Sequence, residues 1–311
     1  MSKKAIVVVG PTASGKTSLG IYIAKKYNGE VISADSMQIY KEMSVSTAKP
    51  TIDEIDGVKH HLIDFVDITD TYSVSDYCRD AKAVFDDIIS RGKLPVIVGG
   101  TGLYIDSFIT NTQFFDDAQS DEIRKRLQKQ ANDEGLDVLY NRLKEIDPDA
   151  AAKIHPNNSV RVIRALEVYE ATGKTITQQT EQSHSVASDI DALYIGINYS
   201  DREKLYDRIN RRVDIMMENG LLDEAKSLFS GEYSATAVNS IGCKEMKPFL
   251  DGEKSLSECV EKLKMSTRHY AKRQLTWFRR NESVKWVYPD KQNEDELYSQ
   301  IIEYINDFLK E

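Results

Sequence analysis

Ala5-Ile6-Val7-Val8-Val9-Gly10-Pro11-Thr12-Ala13-Ser14-Gly15-Lys16-Thr17 is the stretch that decides how the rest of the chain is read. Its first five residues are unbroken apolar and β-branched at four positions, the pattern of a strand buried on both faces of a parallel sheet. The next eight fit G-x-x-x-x-G-K-[ST]. A helix is expected directly afterwards, through Leu19, Ile21, Ile23 and Ala24 to a stop at Asn28-Gly29. Strand, glycine loop and helix in that order form a phosphate cradle. Gly10 and Gly15 let the amides of Gly10, Pro11, Thr12, Ala13, Ser14 and Gly15 approach phosphate oxygens wherever an N–H exists. Lys16 brings a point charge, Thr17 a hydroxyl for Mg²⁺, and the helix N-terminus its dipole. Taken alone, such a loop suggests ATP.

Outward from this loop, strands are expected at Glu30–Ala34, Leu94–Val98, Leu193–Ile197 and Val284–Tyr288. Strands alternating with helices predict an α/β fold, a P-loop NTPase-like parallel sheet flanked by helices. Ligands bind such sheets at the carboxyl ends of the strands, so Gly10, Asp35 and Thr101 are expected to converge. The middle differs. Asp121 to Leu143 and Ser159 to Ala171 have helical period, and no strand pattern falls between about 118 and 185. The expected organisation is a catalytic core of 1–117 and 186–311 with a helical insertion domain at 118–185. Ser200 to Phe229 and Ser255 to Arg280 read as helices too.

The chain has 311 residues, 41% of them hydrophobic, which suffices for a sizeable core and excludes wholesale disorder. Cys78, Cys243 and Cys259 are scattered, forming neither a zinc pattern nor a disulfide framework, and fit a reducing cytoplasm. No stretch is long enough to span a membrane. A net charge of -9 argues against a generic nucleic-acid binder. Yet Lys262 to Lys285 is strongly basic, with Tyr270, Trp277 and Phe278 interleaved, before an acidic segment from Asp290 to Glu311.

Several groups have two readings. The strand Leu94–Val98 ends in Gly99-Gly100-Thr101 with no carboxylate until Asp106, unlike a nucleotide hydrolase, which places an Mg²⁺-binding acid there. Asp35 is a general base, a water-mediated Mg²⁺ ligand, or a cap for the helix that follows it. Lys264, Arg268 and Lys272 share a helix face. That face is a nucleic-acid surface or, more commonly, a solvated stripe with the aromatics in the core. Arg208, Arg211 and Arg212 form a surface ion-pair ladder, or one of them grips a diphosphate.

Taken together, these motifs resemble the tRNA dimethylallyltransferase family, the bacterial tRNA isopentenyltransferases. The resemblance runs along nearly the whole chain. It includes the loop Gly10 to Thr17, Ile32-Ser33-Ala34-Asp35-Ser36-Met37-Gln38-Ile39-Tyr40 and Ser46-Thr47-Ala48-Lys49-Pro50. It continues through His60-His61-Leu62-Ile63-Asp64, Val98-Gly99-Gly100-Thr101-Gly102-Leu103-Tyr104 and His155-Pro156-Asn157-Asn158. Arg161-Val162-Ile163-Arg164-Ala165-Leu166-Glu167, Arg208 to Arg212 and Lys272-Arg273-Gln274-Leu275-Thr276-Trp277-Phe278-Arg279 complete it.

The resemblance implies transfer of a dimethylallyl group from dimethylallyl diphosphate to N6 of the adenosine 3′ of the anticodon, position 37, in tRNAs reading U-initial codons. It implies Asp35 as base, with Lys16, Thr101 and Arg208 catalytic and Thr17 on Mg²⁺. Contacts to the tRNA anticodon stem-loop are implied for Asp35, Ser36, Met37, Gln38, Thr101 and Arg124. They are further implied for Val160, Arg161, Val162, Ile163, Arg164, Asn239, Gly242, Lys244, Arg273, Gln274, Trp277 and Arg280. The adenosine would be flipped from its stack. A cytoplasmic monomer is expected. Val160 and Gly242-Cys243 depart from the pattern, which many members meet with Gln before the arginine and with Gly-Tyr. Adenylate isopentenyl transfer and small-molecule phosphorylation are the rival activities.

Overall fold

The computed structural model describes residues 2–114, 120–183, 187–231 and 234–310. Contacts divide the chain into two compact units, Met1–Ile109 with Asp189–Glu311, and Thr110–Ser188. The junctions expected at 117/118 and 185/186 lie outside the described residues. The units divide where regular structure of the first unit stops, after a helix ending at Ile109 and just before a strand starting at Ile190.

The first unit is built on a six-stranded sheet. Its strands are β1 (Lys3–Val9), β2 (Gly29–Ala34), β3 (His60–His61), β4 (Leu94–Gly99), β5 (Ile190–Ile197) and β6 (Lys285–Val287). Their order is β3-β2-β4-β1-β5-β6, and every pairing is parallel. β1 lies between β4 and β5, with Val8 opposite Val98 on one side and Ile195 on the other. Its apolar run follows from this position. Ala5, Val7 and Val9 pack on one face with Ile32, Tyr77, Phe85 and Phe108, whereas Ile6 and Val8 pack on the other with Ile23, Val96 and Ile301. Helices Val74–Ser90 and Gly102–Ile109 thus cover one face, and helices Lys16–Lys26 and Glu294–Lys310 the other.

The acidic C-terminal segment is therefore structural. Ile301 and Ile305 are fully buried on the sheet while the acids face outward. Two of the long helical stretches break once, whereas Leu256–Phe278 and Ser159–Thr172 are continuous. Gly220, with φ 93°, separates Arg202–Glu218 from Leu221–Ser230, and Gly135, with φ 97°, separates Ser120–Glu134 from Leu136–Ile146.

The second unit is helical among its described residues. Its core gathers Leu127, Leu139, Leu143, Val162, Ile163 and Leu166. Asn158 caps the helix Ser159–Thr172 by accepting from the Arg161 amide, and Gly173 in the left-handed region ends it.

Candidate functional site: a phosphate loop facing a fixed carboxylate

The loop after β1 makes a sharp reversal. Gly10 has φ 147°, and a Cβ there would lie 2.4 Å from the Ile197 carbonyl oxygen of β5. Any other residue would force β1 and β5 apart. Lys16 opens the following helix and donates to the Pro11 carbonyl at 2.7 Å.

Asp35 follows the last residue of β2. One carboxylate oxygen, Oδ1, accepts from the Met37 amide at 2.9 Å and the Gln38 amide at 3.3 Å. The capping reading is therefore correct for that oxygen, although the turn continues into no helix. The two bonds leave Oδ2 directed by a fixed carboxylate rather than by a free rotor. Asp35 lines a cavity with Thr12, Lys16, Thr17, Gln38, Arg212, Tyr270 and Gln274. It is the only carboxylate among the described residues lining it. The end of β4 contributes Gly99 and no acid, as the sequence indicates.

Charge in this cavity is finely poised. Desolvation and the nearby Arg212 push the Lys16 ammonium down to about 7, against the pull of Asp35. Arg212 is lowered by desolvation and held up by Asp35. Burial raises the Tyr270 phenol, and the neighbouring Asp35 adds to this. Two cationic groups and one carboxylate around a glycine loop make a site for an anion beside a proton acceptor.

Gln274 closes the loop from behind. Its Oε1 accepts from the Thr12 amide at 2.8 Å and its Nε2 donates to the Gly100 carbonyl at 3.0 Å. A Cβ on Gly100 would lie 2.1 Å from that Nε2, so the glycine is required by the glutamine. Thr101 ties β4 to the Asp35 turn. Its Oγ1 accepts from the Ser36 amide at 3.0 Å and donates to the Ser36 hydroxyl at 3.2 Å. Thr101 does not line the cavity.

Other expected site residues fall elsewhere. Arg208 donates to the Ala13 carbonyl at 2.9 Å and lies 5.3 Å from the Tyr199 ring centroid. With Ser14 and Gly15 it lines a second cavity, walled by Leu19, Ile197, Val287 and Tyr298. Arg212, one turn along the same helix, lines the Asp35 cavity, a role the sequence left open among Arg208, Arg211 and Arg212. Two residues of the basic stripe are engaged within the molecule, while Lys272, Arg273, Arg279 and Arg280 are exposed. Lys264 pairs with Asp214 at 2.7 Å, and Arg268 donates to Asn210 at 2.6 Å. Trp277 donates to Asp106 at 2.7 Å, and Arg280 stacks 4.0 Å from the Trp277 ring centroid. Arg273 is exposed, over Tyr270. Asn239 and Lys244 are exposed, while Gly242, with φ 114°, caps the helix Cys243–Leu250 against Ser46. Cys243 is buried in the core, where a larger ring would not fit unaltered.

In the helical unit, Val162 and Ile163 are core residues, 0% and 4% exposed, so their side chains do not meet RNA. Val160 and Arg161 are exposed. Arg124 makes a bidentate pair with the buried Glu167, both bonds at 2.9 Å, and Arg164 pairs with the same carboxylate. Arg124 is thus engaged in holding its own unit together.

Among the described residues no group of three or more His, Cys, Asp or Glu is placed to hold a metal, and no helix is long and apolar enough to cross a membrane. The residues that could assist a cation are Thr17 and Asp35, beside the phosphate loop.

A parallel P-loop sheet with a fixed carboxylate just after β2 and a glycine at the end of β4 defines a phosphate-handling α/β protein. A family profile described as IPP transferase matches residues 38–281, and the chain belongs to that family. It is similar to the tRNA dimethylallyltransferase of Caldanaerobacter subterraneus subsp. tengcongensis, 48% identical over all of both chains. It is also similar to that of Acetivibrio thermocellus, 50% identical over 96% of each. Among solved structures, the tRNA isopentenylpyrophosphate transferase of Bacillus halodurans is 42% identical, with a TM-score of 0.73 over 100% of this chain and 99% of that one. A eukaryotic dimethylallyltransferase acting on tRNA has a TM-score of 0.82 and 32% identity over 99% of this chain and 80% of its own.

Proposed function

We propose that this chain transfers a dimethylallyl group from dimethylallyl diphosphate to N6 of the adenosine at position 37 of tRNA, giving N6-dimethylallyladenosine and diphosphate. The observation that carries this reading is the pairing of the P-loop with Asp35 in one cavity with no second carboxylate among the described residues lining it. The phosphate is then the leaving group rather than the group transferred.

The amine nitrogen attacks the allylic carbon as the carbon–oxygen bond to diphosphate breaks. The attacking nitrogen becomes acidic as its lone pair is used, and Asp35 Oδ2 takes its proton. Negative charge grows on the departing oxygen, where Lys16, Arg212 and the loop amides stabilise it. The donor set suits Mg²⁺. Thr17 would supply a hydroxyl and Asp35 a carboxylate, oxygen donors of the kind this small ion prefers. When bound, the ion would neutralise charge on the leaving group. Arg208, bonded to the Ala13 carbonyl of the loop, is assigned to the diphosphate from that side.

The exposed Arg161, Arg273 and Arg280, with the half-buried Trp277 beneath Arg280, are assigned to tRNA, through phosphates and stacking. Incubation with dimethylallyl diphosphate, Mg²⁺ and unmodified tRNA, followed by nucleoside mass analysis, tests the reading. One dimethylallyl group on adenosine is expected. Labelling of AMP in preference to tRNA, or phosphate transfer from ATP, would overturn it.

A further inference from the structure

Arg212 is a long side chain, and its placement in the cavity requires support. Its Nη2 donates to the Thr47 carbonyl at 3.3 Å. Gln38, beside Asp35 in the same cavity, donates from Nε2 to the Thr47 carbonyl at 3.1 Å and the Ala48 carbonyl at 3.3 Å. Both groups hang on the carbonyl end of one compact turn. That turn closes through the Ala48 amide on the Val45 carbonyl and the Lys49 amide on the Ser44 carbonyl, each at 3.0 Å.

The amide end of the same turn points the other way and would leave three N–H groups without partners. Glu224, in the helix Leu221–Ser230, takes all three. Its Oε2 accepts from Ser44 at 2.9 Å and Val45 at 2.7 Å, and its Oε1 from Ser46 at 2.9 Å. A carboxylate with three amides is a charge-assisted anchor, stronger than bonds between neutral groups. A negative charge at the amide end and a guanidinium at the carbonyl end also match the turn's dipole.

We infer that Glu224 is a positioning residue for the diphosphate cavity, acting through the Ser44–Ala48 turn to hold Arg212 and Gln38 in place. This inference rests on the proposal that the cavity binds diphosphate. Glu224 lines no part of the cavity and acts on its ligand only through the turn.

The test measures affinity for inorganic diphosphate with Mg²⁺ by calorimetry, in a double-mutant cycle on the full chain, with unfolding midpoints recorded separately. Glu224→Ala is expected to weaken diphosphate by about ten-fold, as loss of second-layer support does at metal sites. Glu224→Gln keeps one acceptor oxygen and should fall between Glu224→Ala and wild type. It also serves as the reporting variant if Glu224→Ala does not fold. In an Arg212→Met background the same changes should have less than about a two-fold effect, because coupled residues are not additive. Equal losses in both backgrounds would show that Glu224 merely stabilises the fold, and would overturn the inference. Unchanged affinity in either Glu224 variant would overturn it too. Failure of the wild-type protein to bind diphosphate would remove the reading of the cavity, and this inference with it.

Discussion

Gln274 bridges Thr12 and Gly100, accepting from the first and donating to the second, so one amide side chain fastens the phosphate loop to the end of β4. Both of its polar ends are used, and the residue is 5% exposed. Gln274→Leu, similar in size, would leave the half-buried Thr12 amide and the buried Gly100 carbonyl without this partner. The expected cost is about 1–3 kcal/mol for each unpaired group in unfolding free energy. The Michaelis constant for the donor should rise as the loop loosens. Chemical denaturation and donor saturation curves check this, and unchanged values in both would contradict the bridging role.

Asp35→Asn retains an acceptor for the Met37 and Gln38 amides while removing the proton acceptor. The turn should therefore keep its shape. Turnover is expected to fall by about 10²–10⁴, the usual worth of a positioned base. Inorganic diphosphate and tRNA should still bind. Wild-type turnover in this variant would remove Asp35 from the chemistry.

Lys16 carries a pH signature. Its ordinary value is 10.5, and it is pushed down to about 7 in the folded protein. Between these values the unfolded chain holds a proton that the folded chain lacks, so this group's contribution to stability rises with pH across that window. It is lost as pH falls through about 7. Ligand binding follows the opposite trend. An anion favours the ammonium, so diphosphate should draw a proton onto Lys16 above about pH 7, and affinity should weaken as pH climbs. Calorimetry in buffers of differing ionisation enthalpy measures this uptake. The proton balance of Lys16→Met at pH 8, subtracted from that of wild type, isolates it. No difference between the two proteins would refute the poised lysine.

Arg124 offers a test of structure against recognition. It pairs with Glu167, which is 1% exposed, so Arg124→Ala should lower the melting temperature, through a loss of about 1–3 kcal/mol. Weaker tRNA binding in this variant should follow the thermal loss. Full tRNA affinity lost at unchanged melting temperature would instead assign Arg124 to direct contact.

The strands β1 and β4 were legible because burial on both faces leaves an unbroken apolar signature, and β2, β5 and the edge strand β6 because shorter apolar runs sit between turn and helix signals. β3 was not. It has only His60 and His61, and its pairing to β2 comes from the backbone. The helix Val74–Ser90 carries a readable stripe in Tyr77, Ala81, Phe85 and Ile88, though no motif drew attention to it. The P-loop and Asp35 were legible as chemistry. The choice between Arg208 and Arg212 was not, because the four residues separating them put both near one face of the helix. Only the docking of that helix decides which cation enters the cavity. Lys264 and Arg268 were ambiguous for the same reason, since their partners Asp214 and Asn210 lie on a distant stretch of sequence. Val162 and Ile163 belonged to a recognisable motif, yet their apolar character already fits the core they occupy.

The helical unit is a single uninterrupted run of chain with an apolar core of its own around Leu127, Leu139, Leu143 and Leu166. The sheet and its phosphate loop are complete in the other unit. A chain divided in this way can have one cassette of sequence altered or exchanged while the sheet and its phosphate loop stay whole. The cassette's two ends, after Ile109 and before Asp189, mark where an engineered exchange should be cut.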